Sequence, residues 1–200
     1  MSSLDADRRL SVARRLVEES RRRQVIVFTH DPHFLILLRR ESRGAMKVLT
    51  CTNVNGTAGH VSDDEPWTTG KSAELVKRLR KQHLKDARKH GQEQNAEAYR
   101  RTVDAMLKLL RKTWERAVGE LLCDVVEPGT FEVHTQKLRA MVVTEEMVAA
   151  VARGMSALSF DAHDQGPHMP QVLPRVEELE ALVEELEAFL ALVEDGRRRR

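Results

Sequence analysis

The residues of this chain best placed to do chemistry are His30 and Asp31, which close the run Val25-Ile26-Val27-Phe28-Thr29. A neutral imidazole there can accept a proton from an attacking water or donate to a phosphate oxygen, and an imidazolium can stabilise charge on a transferring phosphoryl group. The plainer role is a cap on the turn into the next helix. A second set lies further on. Arg116 and Glu120 stand four apart, so both fall on one side of a helix, away from the Val103, Leu110 and Leu121 stripe, and His163 follows in a loop. Taken alone, an exposed Arg/Glu pair at this spacing is a surface ion pair of about 0.3–0.5 kcal/mol. Asp161, His163, Asp164 and His168 offer donor atoms close in sequence, but in a proline-interrupted loop and not at helical i, i+4 spacing, so no metal site is assigned.

Phosphate chemistry also needs a cradle, in which a glycine-rich loop between strand and helix converges backbone N–H groups on the phosphates. Gly70-Lys71-Ser72 matches only the end of that pattern. The first glycine position holds Glu65, and the preceding stretch, from His60 to Trp67, is acidic where a buried strand is required. A Leu-Ser-Gly-Gly signature and an apolar strand ending in paired acids are also missing from the 200 residues. ATP hydrolysis by this chain alone is therefore not expected.

Several elements must position these groups. Leu10, Val12, Ala13, Leu16 and Val17 define an amphipathic helix over residues 6–23, with Asp5 as its cap. Residues 25–28 are continuously apolar and β-branched, which predicts a strand covered on both faces in a parallel sheet, with any ligand site at its carboxyl end, beside His30 and Asp31. A helix over 32–42 and a second strand over 47–52 follow, then polar, glycine-containing sequence, with Pro66-Trp67 marking the return to ordered structure. Residues 70–124 read as two helices broken near Gly91, the longer one carrying Tyr99, Val103, Met106, Leu110, Trp114, Ala117 and Leu121 on one stripe.

Pro128-Gly129 is a break, and residues 131–135 form a short strand or an extended lead into helix. Thr144 caps a helix to residue 158 with Met147, Val148, Val151 and Met155 inward. After a loop over 159–174, Val176, Leu179, Val183, Leu186, Leu190 and Val193 form a heptad seam, started by Pro174 and stopped by Gly196, that should pair with another helix of this chain. The fold class is an α/β N-terminal piece followed by a mainly α-helical region, helix-rich overall, in three parts: 1–62, 63–127 and 128–200.

Composition agrees with long solvated helices: 32% of residues are charged and only 4% aromatic, against 41% hydrophobic. The net charge is +2, yet residues 71–116 are basic and 177–195 acidic, as if these helices neutralise each other. Two cysteines, Cys51 and Cys123, support neither a disulfide framework nor a zinc site. No apolar stretch is long enough for a membrane span or a signal core, and a cytoplasmic location is expected. The closing run Arg197 to Arg200 reads as a solvated end.

Ser2-Ser3-Leu4-Asp5, a helix, and an apolar run closing in Thr29-His30-Asp31 resemble the D-loop and switch-histidine segments of ABC-type ATPases, in particular RecF/SMC-like AAA family ATPases. The resemblance implies that residues 1–62 are part of a P-loop NTPase sheet. Ser3, Asp5 and His30 would then lie at the nucleotide, Asp5 acting across an ATP-sandwiched dimer and His30 sensing or polarising the γ-phosphate. Met1 would stand where a Walker B strand has just finished, in a natural short protein or a truncated reading frame. ATP and Mg²⁺ would bind only with a phosphate-loop-bearing partner chain.

Trp114-Glu115-Arg116 and the Met155, Ser159, His163-Asp164 turn further resemble ATPases of the anticodon-nuclease type, found in bacterial defence. That likeness implies Arg116, Glu120 and His163 as a metal-independent RNA-cleaving set. Three functions are thus in view: the C-terminal portion of such an ATPase; a helical module that binds nucleic acid through residues 71–116, or a protein partner, without nucleotide chemistry; and a ribonuclease.

Overall fold

The computed structural model describes residues 6–54, 57–63, 66–126, 133–158 and 173–199. The protein is helix-rich, with one small two-stranded sheet near the N-terminus. The chain divides into two compact units: residues 1–70 with 124–135, and residues 71–123 with 136–200. The helical parts expected as separate regions over 63–127 and 128–200 therefore fold largely together.

In the first unit, α1 (Ala6–Ser20) and α2 (Pro32–Glu41) pack on each other. Ala13, Phe34, Leu37 and Leu38 form its buried core, and Leu10, Val12, Leu16, Val27 and Met46 pack against them. α1 stops short of its expected end at 23, and the chain leaves it through turns in which Arg21, Arg22 and Arg23 donate to the Glu18 and Glu19 carbonyls.

Residues 25–28 correct the sequence expectation, because they lie in no strand and no parallel sheet is present among the described residues. Their burial still alternates. Val25 and Val27 are half-buried, whereas Ile26 is 68% and Phe28 90% exposed, the pattern of a segment covered on one face only.

The sheet that does form is an antiparallel hairpin of β1 (Thr50–Val54) and β2 (Thr57–Ser62). It falls partly where polar, irregular sequence was expected. Thr50 pairs with Ser62 and Thr52 with His60, but Val54 pairs with Thr57, so β2 carries one extra residue. Gly59 sits in that bulge at φ 94°, a conformation glycine adopts without strain. Further on, Val133 bridges Val126, and the His134 N–H donates to the Val125 carbonyl at 2.7 Å.

The second unit is a helical bundle. Residues 72–92 form one helical run: α3 (Ser72–Arg78), a π-helical turn (Leu79–Leu84) and α4 (Lys85–Gln92). The π turn has a sequence cause. Buried positions run Ser72, Leu75, Val76, Leu79 and then skip to Leu84 and Ala87, a step of five that an α-helix cannot keep on one face. After Gln92, Gln94 turns the chain at φ 53°, and Asn95 caps α5 (Ala96–Leu121) by accepting from Ala98 N at 3.1 Å. The stripe expected on α5 is the one buried from Val103 to Leu121, while Tyr99 is half-buried.

α6 (Glu145–Ala157) starts as expected, with Thr144 Oγ1 accepting from Met147 N at 3.3 Å. Its inner face differs, for Met147, Ala150 and Gly154 are buried and Val148 is 51% exposed. A Cβ on Gly154 would overlap the Trp114 ring, so this position must be small, and Val148 turns outward. α7 (Val176–Arg198) buries Leu179, Val183, Leu186, Phe189 and Val193, with Phe189 in the seam in place of Leu190. Gly196 does not stop the helix, and Met147 of α6 approaches it closely. Pairing of α7 within the chain is as expected, because it packs on α3, the π turn, α5 and α6.

Candidate functional site

His30 stands at the end of the run from 25 to 29, just before α2. Its neighbours are fixed on both sides. Asp31 N donates to Thr29 Oγ1 at 3.0 Å, and Asp31 Oδ1 accepts from His33 N at 2.9 Å and Phe34 N at 3.4 Å as the N-cap of α2, with Pro32 following in the first turn. The second carboxylate oxygen, Oδ2, faces Arg9 Nη1 of α1 at 3.5 Å. Phe34, in the first turn of α2, is fully buried in the core. His30 itself is exposed. The result is a histidine whose main chain is anchored while its ring faces outward, a geometry suited to a ligand brought up from outside. Ser3 and Asp5 lie outside the described residues.

In the second unit, Arg116 and Glu120 do face each other, with Arg116 Nε 3.2 Å from Glu120 Oε1. The carboxylate is also taken up elsewhere. Ser72 N donates to Glu120 Oε1 at 3.0 Å, and the Ser72 hydroxyl donates to Oε2. The N-cap position of α3 is Lys71, whose side chain has no oxygen to offer, so Glu120 supplies a side-chain acceptor from α5. Arg197 of α7 donates to the Glu120 carbonyl as well. Sequence reasoning missed Ser72 in this role, since 48 residues separate the partners. His163, the third member of the RNA-cleaving set, lies outside the described residues, as do Asp161, Asp164 and His168.

The same contacts account for Gly70-Lys71-Ser72. A 3-10 turn, Trp67–Thr69, and not a strand, precedes it, and the Ser72 hydroxyl is held by Glu120.

The opposite charges of 71–116 and 177–195 meet within the bundle. Arg80 grips Glu187 with two hydrogen bonds, Nε to Oε1 at 3.1 Å and Nη2 to Oε2 at 2.8 Å, and lies 3.4 Å from Glu180. Arg88 donates to Glu180 at 2.7 Å. The hydrogen bond to Glu187 raises the Arg80 pKa, and the bond from Arg88 holds the Glu180 carboxyl below its ordinary value. Two arginines of the segment proposed to contact nucleic acid are thus paired internally, while Lys77, Lys81 and Lys85 lie exposed.

Near these pairs, Tyr99 donates to the Pro174 carbonyl at 2.7 Å beside an open cavity of about 580 Å³ that Arg88, Arg175, Glu177 and Glu180 also line. Burial, and then Glu177 and Glu178, raise the Tyr99 pKa. Among the described residues no group of three or more His, Cys, Asp or Glu is arranged to hold a metal ion, and no helix is long and apolar enough to cross a membrane. No protein family, curated protein or solved structure matches this chain.

Proposed function

We propose that the first unit supplies the switch-histidine part of the nucleotide site of an ABC/RecF/SMC-like ATPase, acting in the cytoplasm, and that a phosphate-loop-bearing partner supplies the rest. One observation carries this reading: His30 projects outward from an anchored turn, directly after a segment whose outward residues, Ile26 and Phe28, are left bare. A ring held this way can meet a γ-phosphate presented by another polypeptide. Ile26 and Phe28 beside it are the apolar side chains that such a partner would cover. The partner would bring ATP and Mg²⁺, because the sequence holds no complete Gly-x-x-x-x-Gly-Lys-Ser/Thr pattern and no apolar run ending in paired acids. The helical second unit would then be the output or interaction module.

Reconstituted hydrolysis tests the proposal. The chain is mixed with a polypeptide carrying the phosphate loop and Walker B strand of an ABC/RecF/SMC-like ATPase, and phosphate release is followed. The mixture is expected to hydrolyse ATP, and His30→Ala is expected to reduce the rate by about 10²-fold or more, the usual contribution of a positioned acid or base. Hydrolysis by the chain alone, or an unchanged rate in His30→Ala, contradicts it.

A further inference from the structure

Arg9 connects two parts of the first unit that are 22 positions apart in sequence. It lies in the first turn of α1, and its side chain is 20% exposed, facing an Asp31 side chain that is 13% exposed. The two Asp31 oxygens have separate tasks. Oδ1 accepts the α2 cap hydrogen bonds, which leaves Oδ2 for the guanidinium. Asp31 also donates its own N–H to the Thr29 hydroxyl, so the peptide unit that follows His30 is held to the side chain that precedes it. We propose that Arg9 is the positioning residue for His30: through Asp31 it fixes the turn that aims the imidazole, and it makes that aim depend on where the first turn of α1 sits.

The inference rests on the role given to His30 above and adds regulation to it. Whatever moves the first turn of α1 moves Arg9, and with it the histidine turn. A second ion pair between the same helices, Arg14 Nε to Glu41 Oε2 at 3.2 Å, joins α1 to the far end of α2 and does not touch the turn. It therefore provides an internal control.

The test uses the full-length chain, isotope-labelled, without nucleotide, so that its outcome is independent of whether a partner restores hydrolysis. Backbone and imaging of the ring are read together as the His30 amide and imidazole NMR signals in Arg9→Ala, Arg9→Lys, Asp31→Asn and Arg14→Ala. Asp31→Asn keeps an oxygen for the α2 cap and removes only the charge, which guards against loss of the helix. Arg9→Ala and Asp31→Asn are expected to shift the His30 signals alike, with no further shift in the double variant; Arg9→Lys restores part of the change, and Arg14→Ala leaves His30 in place. Equal His30 shifts in Arg9→Ala and Arg14→Ala would show that Arg9 only joins the helices, and unchanged His30 signals in Arg9→Ala or Asp31→Asn would equally overturn the proposal. Failure of the nucleotide-site reading would appear instead in the reconstitution assay, with these spectra unaffected.

Discussion

Glu120 shows how a residue's spacing and its use can part. Its distance from Arg116 was legible in the sequence, and the pair is formed. What the sequence could not show is that Ser72, far away along the chain, claims the same carboxylate. Replacing Glu120 by Ala leaves Ser72 N and Arg116 without this acceptor, and it is expected to cost about 2–3 kcal/mol, read as a lowered urea midpoint. Gly154 is similar. Sequence reading sought large apolar residues for the inner face of α6, whereas the Trp114 ring leaves no room for a Cβ at Gly154. Gly154→Ala is therefore expected to destabilise by about 1–3 kcal/mol despite the better helix propensity of alanine. His30→Ala, at an exposed position outside any helix, should change stability by no more than about 0.5 kcal/mol.

At the scale of elements, the helices were legible because their apolar spacing follows the α-helical period over many residues. The stripe on α5 and the start of α6 at Thr144 fall where expected. The strands were less so: β1 overlaps the strand expected over 47–52 only from Thr50 to Thr52. Residues 25–28 have strand-like composition, but composition does not say whether a ladder partner is present. β2 lacks any apolar alternation, because every residue from Thr57 to Val61 is exposed; Asn55-Gly56 between the strands was the usable signal.

The π turn in residues 72–92 makes its own prediction. Deleting the exposed Gln82 shortens the Leu79-to-Leu84 step to four, so an ordinary α-helix should keep both leucines inside, and circular dichroism should show a folded protein with cooperative melting.

α7 makes a pH prediction. Hydrogen bonds from Arg88 to Glu180 and from the Arg175 N–H to Glu178 depress both carboxyl pKa values, and burial depresses that of His83. For groups with a lowered folded pKa, the unfolded chain binds more protons, so stability is present at high pH and declines as pH falls. The His83 part should fade below about 6.5 and the carboxylate part below about 4.5. Urea midpoints measured from pH 7.5 down to pH 4 are expected to fall in that order, and His83→Gln should remove the upper decline only.

For the whole molecule, the two units differ in how they use their surfaces. The second closes a core around Trp114 and Phe189, whose ring centroids are 5.1 Å apart, and neutralises its basic and acidic helices internally. The first has a small core and leaves Ile26 and Phe28 bare next to an anchored, outward-facing histidine. The helix-rich class and the mutual neutralisation of charged helices could be read from composition and periodicity; the division into two units could not, since it depends on α6 and α7 folding back onto α3 and α5.

The proposed place of His30 in half of a nucleotide site is read by titrating the labelled chain with MgATP while following the His30 imidazole signals, first alone and then with the phosphate-loop-bearing polypeptide. The expected result is no change for the chain alone and a saturable shift of the His30 signals in the mixture. A nucleotide-dependent shift without the partner, or His30 signals that stay unchanged when the mixture binds ATP, would contradict the claim.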